Sequence, residues 1–219
     1  MSCAICETRK EKRFCPAAHA RICPQCCGEQ REVTLDCPSD CPYLQQARQN
    51  ERPREGAQLP LAELLPEVEI PDRFVYEREP LLVGLTFTVS KRARLDRSVN
   101  DRDAIAALKT LAKSYQTLVG SGLVYEERTA SVPQQALVED MQKMIAEYRA
   151  MEEKHLGSFT LRDSDALRGI VFVLRLAEAR TSGRPKSRAF LDFLFAQFPE
   201  KGSGIVDPSQ DTSHRIVVP

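Results

Sequence analysis

From residue 101 to 122 the apolar positions recur every three or four residues, so that Ile105, Leu108, Leu111, Ala112, Tyr115, Leu118 and Val119 share one side of a helix. Asn100 or Asp101 offers the N-cap, and Gly120 or Gly122 the stop. The stretch from Val132 repeats the pattern with Leu137, Met141, Met144, Ile145, Tyr148 and Met151. A third, from Leu161 to Gly183, carries Leu167, Ile170, Val171, Leu174 and Ala177, and its apolar positions spread beyond one stripe, which predicts a central helix. The phenylalanine-rich "PKSRAFLDFLFAQF" predicts a last helix that opens at Pro185 and packs across the others.

Residues 81–90, "LLVGLTFTVS", fit two periods at once. Val83, Leu85, Phe87 and Val89 alternate as in a strand, whereas Leu81, Leu82, Leu85 and Val89 fit a helix beginning at Pro80. No partner strand is evident in residues 90–200, and a lone strand leaves its main-chain groups unsatisfied. Helix is therefore the reading. Residues 73–200 become a four- to five-helix bundle, long enough for a core of its own.

Before residue 48 the helical period disappears. Apolar residues are sparse there, with Ile5, Phe14, Ile22, Val33, Leu35, Tyr43 and Leu44 making up most of them. "REVTLDC" alternates Val33 and Leu35 with polar residues and reads as one strand of a short hairpin; "PYLQQARQNE" reads as a short helix with Pro42 at its first position. Residues 49–72 hold four prolines and read as a linker, with a possible helical turn around Leu61–Leu65 able to dock on either side. Residues 201–219 read as a flexible tail ending in the apolar "RIVVP". The layout is thus a module of residues 1–48, the linker, the bundle and the tail, mostly α in class.

The thin core of the first module gains meaning from its cysteines. All eight in the chain lie between Cys3 and Cys41. No apolar run is long enough to span a bilayer and the first residues lack a signal-like apolar segment, so a cytoplasmic protein without membrane partners is expected. Reducing cytosol favours metal binding over a disulfide framework. Cys3-x2-Cys6 and Cys23-x2-Cys26 are two ligand turns separated by sixteen residues, the pattern of a closed tetrahedral zinc site. Five candidates remain for a second site: Cys15, His19, Cys27, Cys37 and Cys41. In an extended or turning chain Cys26 and Cys27 project oppositely, so Cys27 can join Cys15, Cys37 and Cys41 around a second ion. The rival is His19, four residues after Cys15, which would close a site of three cysteines and one histidine and leave Cys27 as a small buried hydrophobe. Because exposed lone histidines near a finger are common, Cys27 is favoured and His19 stays open. Two zinc ions per chain are expected; an iron–sulfur cluster is the lesser alternative. Gly28 is read as the left-handed end of the second turn, and Cys41 as the residue at a helix N-terminus, where the dipole favours thiolate.

The string "CAIC…FCP…ICPQCC…CPSDC" resembles treble-clef and cross-brace fingers and is similar in outline to HIT- and MYND-type fingers. The resemblance covers residues 3–44 and implies a small two-zinc module that binds proteins. It departs from HIT-type fingers in lacking a histidine near the last ligand and in the added Cys27. The two-part layout as a whole is similar to that of uncharacterised bacterial proteins, a likeness that implies no activity.

Charge separates the remaining classes. Basic and acidic residues balance at 31 each, so no global field draws the chain to nucleic acid. There is no G-x-x-x-x-G-K-[ST] loop, no strand-linked GxGxxG and no H-E-x-x-H, and His155 and His214 lack evident partners, so no catalytic constellation is expected. Asp163 and Asp165 fit a helix start. The one dense cationic stretch, "RTSGRPKSR", places Arg180, Arg184, Lys186 and Arg188 at a corner between two helices, where they either bind an anion or an acidic partner or stay solvated. A zinc-stabilised interaction protein, with another protein as partner, is the leading expectation. The alternative is a nucleic-acid-associated regulator using the finger's cations and the Arg184–Arg188 corner, although residues 1–56 carry nine basic side chains against eight acidic ones.

Overall fold

Asn100 fixes the start of the helix that organises the bundle. Its side chain accepts from the amides of Arg102 and Asp103, while the Asp103 carboxylate accepts from the Asn100 amide, a reciprocal cap. The helix runs over Asp101–Ser121 and stops at Gly122, whose φ of 71° suits a residue without a side chain. The computed structural model describes residues 1–51, 65, 67–124, 129–158 and 160–199. In chain order these form β1 (Arg13–Cys15), β2 (Ala20–Ile22), α1 (Pro24–Gln30), α2 (Pro42–Glu51), α3 (Asp72–Glu77), α4 (Glu79–Leu95), α5 (Asp101–Ser121), α6 (Val132–Leu156), α7 (Asp163–Arg180) and α8 (Ala189–Gln197). The chain is mostly helical, and the sheet among the described residues is a single antiparallel pair, β1 against β2, with Cys15 opposite Ala20 and Arg13 opposite Ile22.

The ambiguous stretch at 81–90 lies within α4. Leu81, Leu85 and Val89 are buried together, the i, i+4, i+8 row of a helix, and they pack against α6 and α7. Two glycines set how closely these helices approach. A Cβ on Gly84 would stand 2.9 Å from the Met144 sulfur, and one on Gly169 would stand 3.0 Å from Leu81 Cδ2. Helix α7 is central as its pattern predicts, touching α4, α5 and α8. The last helix begins later than expected: Pro185 lies in the corner before it, and α8 opens at Ala189. No helix among the described residues is long and apolar enough to cross a membrane.

The N-terminal module departs from expectation in two places. "REVTLDC" forms a turn closed by a bridge between Arg31 and Leu35, and the hairpin is built instead from residues 13–22. Two alternating apolar residues are too few to hold a strand, and Val33 is exposed. Gly28 is helical within α1 and ends no turn. Of the linker, Leu65, Val68 and Ile70 pack on the bundle core, and the Arg175 guanidinium donates to the carbonyls of Leu65 and Val68. Leu61, Leu64 and the tail from 201, His214 included, lie outside the described residues.

Candidate metal centre

Three pieces of backbone deliver the first four thiols. A tight N-terminal loop, held by the Cys3 amide on the Arg9 carbonyl and the Glu7 amide on the Cys3 carbonyl, carries Cys3 and Cys6. The Ala4 amide donates to the Arg21 carbonyl, which lays this loop beside β2. The chain then turns from β2 into α1, where Pro24 presets the first helical φ and Cys23 takes the N-cap, its sulfur accepting from the Cys26 amide at 3.4 Å. The sulfurs of Cys3, Cys6, Cys23 and Cys26 all lie within 4.8 Å of one another. Cys3, Cys23 and Cys26 are buried, Cys6 is half-buried, and all eight cysteines are free thiols.

The surroundings are built to hold negative sulfur. The Cys23 and Ile5 amides point at Cys3 Sγ, at 3.2 and 3.5 Å. The Arg9 guanidinium approaches Cys23 Sγ and Cys26 Sγ at 3.8 and 3.9 Å. Hydrogen bonding by the Thr8 side chain, with the amides of Arg9 and Thr8, lowers the Cys6 pKa to about 5. The Cys26 amide, joined by Arg9, lowers that of Cys23. Cys26 moves the other way, pushed up to about 12 by desolvation and by its neighbouring thiols. Four sulfurs at this separation cannot all ionise unless a cation sits among them, and a tetrahedral soft-ligand set of this kind can hold a metal ion. A set of four cysteines fits a closed site with no position left for water or substrate.

The other four cysteines line a separate cavity, and the group of thiols within 4.8 Å of one another found among the described residues does not include them. Cys15 from the end of β1, Cys27 from α1, Cys37 from the loop and Cys41 at the start of α2 line one partly enclosed cavity with Ile22, Leu35, Tyr43 and Leu44. Burial raises the Cys37 pKa, and nearby Cys15 and Cys41 add to the rise. The adjacent pair Cys26–Cys27 divides between the two groups for a helical reason, not the extended-chain one: successive residues on α1 are turned by about 100°. His19 sits in the β1–β2 turn at a φ of 48°, exposed, and is not among the residues lining the cavity. Arg13 stacks over Tyr43 at 4.6 Å, tying the hairpin to α2.

The cationic corner faces this module. Arg184 donates to the carbonyls of Gly28 and Arg31, at 3.0 and 2.8 Å. The Lys186 amide donates to the Glu32 carbonyl at 2.8 Å, and its ammonium reaches the Thr34 carbonyl and the Asp36 carboxylate, each at 2.9 Å. Arg188 turns inward to the carbonyls of Arg97 and Val99, and Arg180 lies over the Phe193 ring at 4.3 Å. Three residues outside the sequence-based set complete this contact. Glu32, only 2% exposed and at a φ of 54°, accepts from Arg48 and Ser182. Arg48 also donates to Asp192, which accepts from Ser39. Nothing in the local sequence marks Glu32, Arg48 or Asp192, because their partners lie up to 153 residues away. Arg9 was legible only as one basic residue among several. Comparison with protein-family models, with curated proteins and with solved structures finds no match to this chain.

Proposed function

We propose that the chain is a non-enzymatic, zinc-binding interaction protein. Its N-terminal finger holds two structural zinc ions, one on Cys3, Cys6, Cys23 and Cys26 and one on Cys15, Cys27, Cys37 and Cys41, and its helical bundle offers the surface for a protein partner. The observation that carries the reading is the group of four free thiols within 4.8 Å of one another. Zinc suits such a set better than harder cations, and the interleaved order of the two groups supports a cross-brace arrangement like that of HIT- and MYND-type fingers. The module's own core is little more than Ile22 and the cysteines, with Ile5, Leu35 and Tyr43 around them. A unit so poor in apolar area folds when metal binding supplies the missing energy, on the order of 10 kcal/mol or more for structural zinc.

The nucleic-acid alternative draws less support. Arg184 and Lys186 are directed at carbonyls and a carboxylate of the same chain, and the thiolates of two zinc sites add negative charge to the finger. The deciding experiment is the metal content of full-length protein purified without added metal or an affinity tag, with Cys27→Ser and His19→Ala beside it. Two zinc ions, falling to one with Cys27→Ser and unchanged with His19→Ala, is the expected result. Iron, or no metal with freely reactive thiols, would overturn the reading. A salt-dependent gel shift with generic DNA or RNA would restore the alternative.

A further inference from the structure

We propose that the second cysteine group is the device that docks the finger onto the bundle, so that the metal held there controls whether the two halves stay together. This rests on the reading of a second metal ion at Cys15, Cys27, Cys37 and Cys41. The hydrogen bonds from the bundle to the finger land on the stretch from Gly28 to Ser39 and on Arg48. Cys27 precedes that stretch, Cys37 lies within it and Cys41 follows it, three ligands of the same proposed site.

What the bundle recognises is mainly a main-chain shape. Arg184 and Lys186 reach the carbonyls of Gly28, Arg31, Glu32 and Thr34, which stand in register only while the loop keeps one conformation. The loop holds itself by hydrogen bonds, the amides of Val33, Thr34 and Leu35 donating to the Gln30 carbonyl, with few apolar contacts to add. Val33 is exposed, Leu35 is half-buried, and Glu32 adopts the left-handed backbone that a residue with a side chain avoids. Among the described residues the buried apolar side chains of finger and bundle fall into two separate clusters, and the hydrogen bonds named above join the halves. A metal ion joining Cys27 to Cys37 and Cys41 removes that freedom in advance, and the polar contacts then form without the ordering cost. Linkage makes the effect reciprocal: the docked bundle raises the affinity of the second site, and the filled second site favours docking. The residues of the first site receive none of these hydrogen bonds, so its effect on docking passes only through the fold of the finger.

The Lys186 amide, which donates to Glu32, reports docking directly. The experiment is amide hydrogen exchange on the full chain, with metal stoichiometry read by native mass spectrometry. Cys37→Ser is expected to lose one zinc ion and to speed exchange at Lys186 by about tenfold or more, with the α5 and α7 core amides unchanged. Cys6→Ser, which breaks the first site, leaves Lys186 exchange within about twofold of wild type. Arg184→Ala keeps two zinc ions, exchanges faster at Lys186, and surrenders one of them to a chelator about fivefold more readily. Where Cys37→Ser does not accumulate as folded protein, stepwise chelation of the wild type and zinc re-addition give the same comparison, with protection lost and regained. One zinc fewer in Cys37→Ser with Lys186 still protected would overturn the docking role and leave the two-metal reading standing. Equal loss of protection in both cysteine variants would overturn the assignment to the second site. A wild-type chain carrying fewer than two metal ions would overturn the two-metal reading, and docking control with it.

Discussion

The finger and the bundle solve the same problem with opposite means. The bundle buries a continuous apolar cluster running through α4 to α8, with Leu81, Leu85, Leu108, Leu111, Ile170 and Phe190 fully enclosed. The finger encloses cysteines around Ile22. In the first case stability is spread over many small apolar contacts; in the second the enclosed groups are mostly thiols, and on the proposed reading stability depends on the metal they bind. The difference teaches that one chain can carry two stabilities answering to different variables, joined by a polar contact through Arg184, Lys186, Glu32 and Arg48.

Stripping the metal is the largest test of that contrast. A strong chelator is expected to unfold residues 1–48 while the helical circular dichroism of the bundle persists; a simultaneous loss of both would break the comparison. The sign with pH follows from the thiols. Cys26, pushed up to about 12, keeps its proton at neutral pH and must release it to bind metal, whereas Cys6, lowered to about 5, is already ionised there. Zinc affinity should therefore rise with pH and collapse as pH falls below about 5, with proton release on binding measurable by calorimetry in buffers of different ionisation enthalpy.

In the bundle, Leu108→Ala should cost about 2–5 kcal/mol in denaturant unfolding without changing zinc content. Asp101→Ala comes next, at about 3 kcal/mol. Only 1% exposed, this carboxylate accepts from the Ser187 hydroxyl and from the amides of Phe190 and Leu191, and its loss strands three donors. The smallest effect belongs to Arg73→Ala. Its pair with Glu77 lies in solvent, both partners more than half exposed, and less than about 0.5 kcal/mol is expected. An Arg73 effect as large as that of Asp101 would show that burial is not what ranks these sites.

The helices were legible because each carries its period and its punctuation together. Asn100 and Gly122 mark ends that the apolar rows alone leave open, while Gly157, the left-handed end of α6, passed unread in the sequence. Helix α8 was placed four residues early because Pro185 fits a helix start, while the residue that caps α8 is Asp101, on another element. The alternation of Val83, Leu85, Phe87 and Val89 made residues 81–90 look strand-like; Gly84, one of the small residues between them, allows the close passage of Met144, a distance no local pattern encodes. The first thiol group was legible from two Cys-x-x-Cys turns. The role of the basic corner was not, because a sequence displays four cations within nine residues but not the carbonyls that receive them, more than 150 residues earlier.

The Asp101 cap also bears on the order of assembly. A nine-residue helix is too short to persist alone, and the donors at the start of α8 find their acceptor 89 residues back along the chain. A growing polypeptide that has not yet reached Ser187 holds the Asp101 carboxyl without its three donors at a position destined to be dry, which resists closure of the helices around it. Arrival of the last segment removes that resistance and completes its own first turn in one step. The bundle is thus expected to close late and cooperatively, with its final helix acting as the latch, and a chain cut before Ser187 should remain an open, loosely packed intermediate.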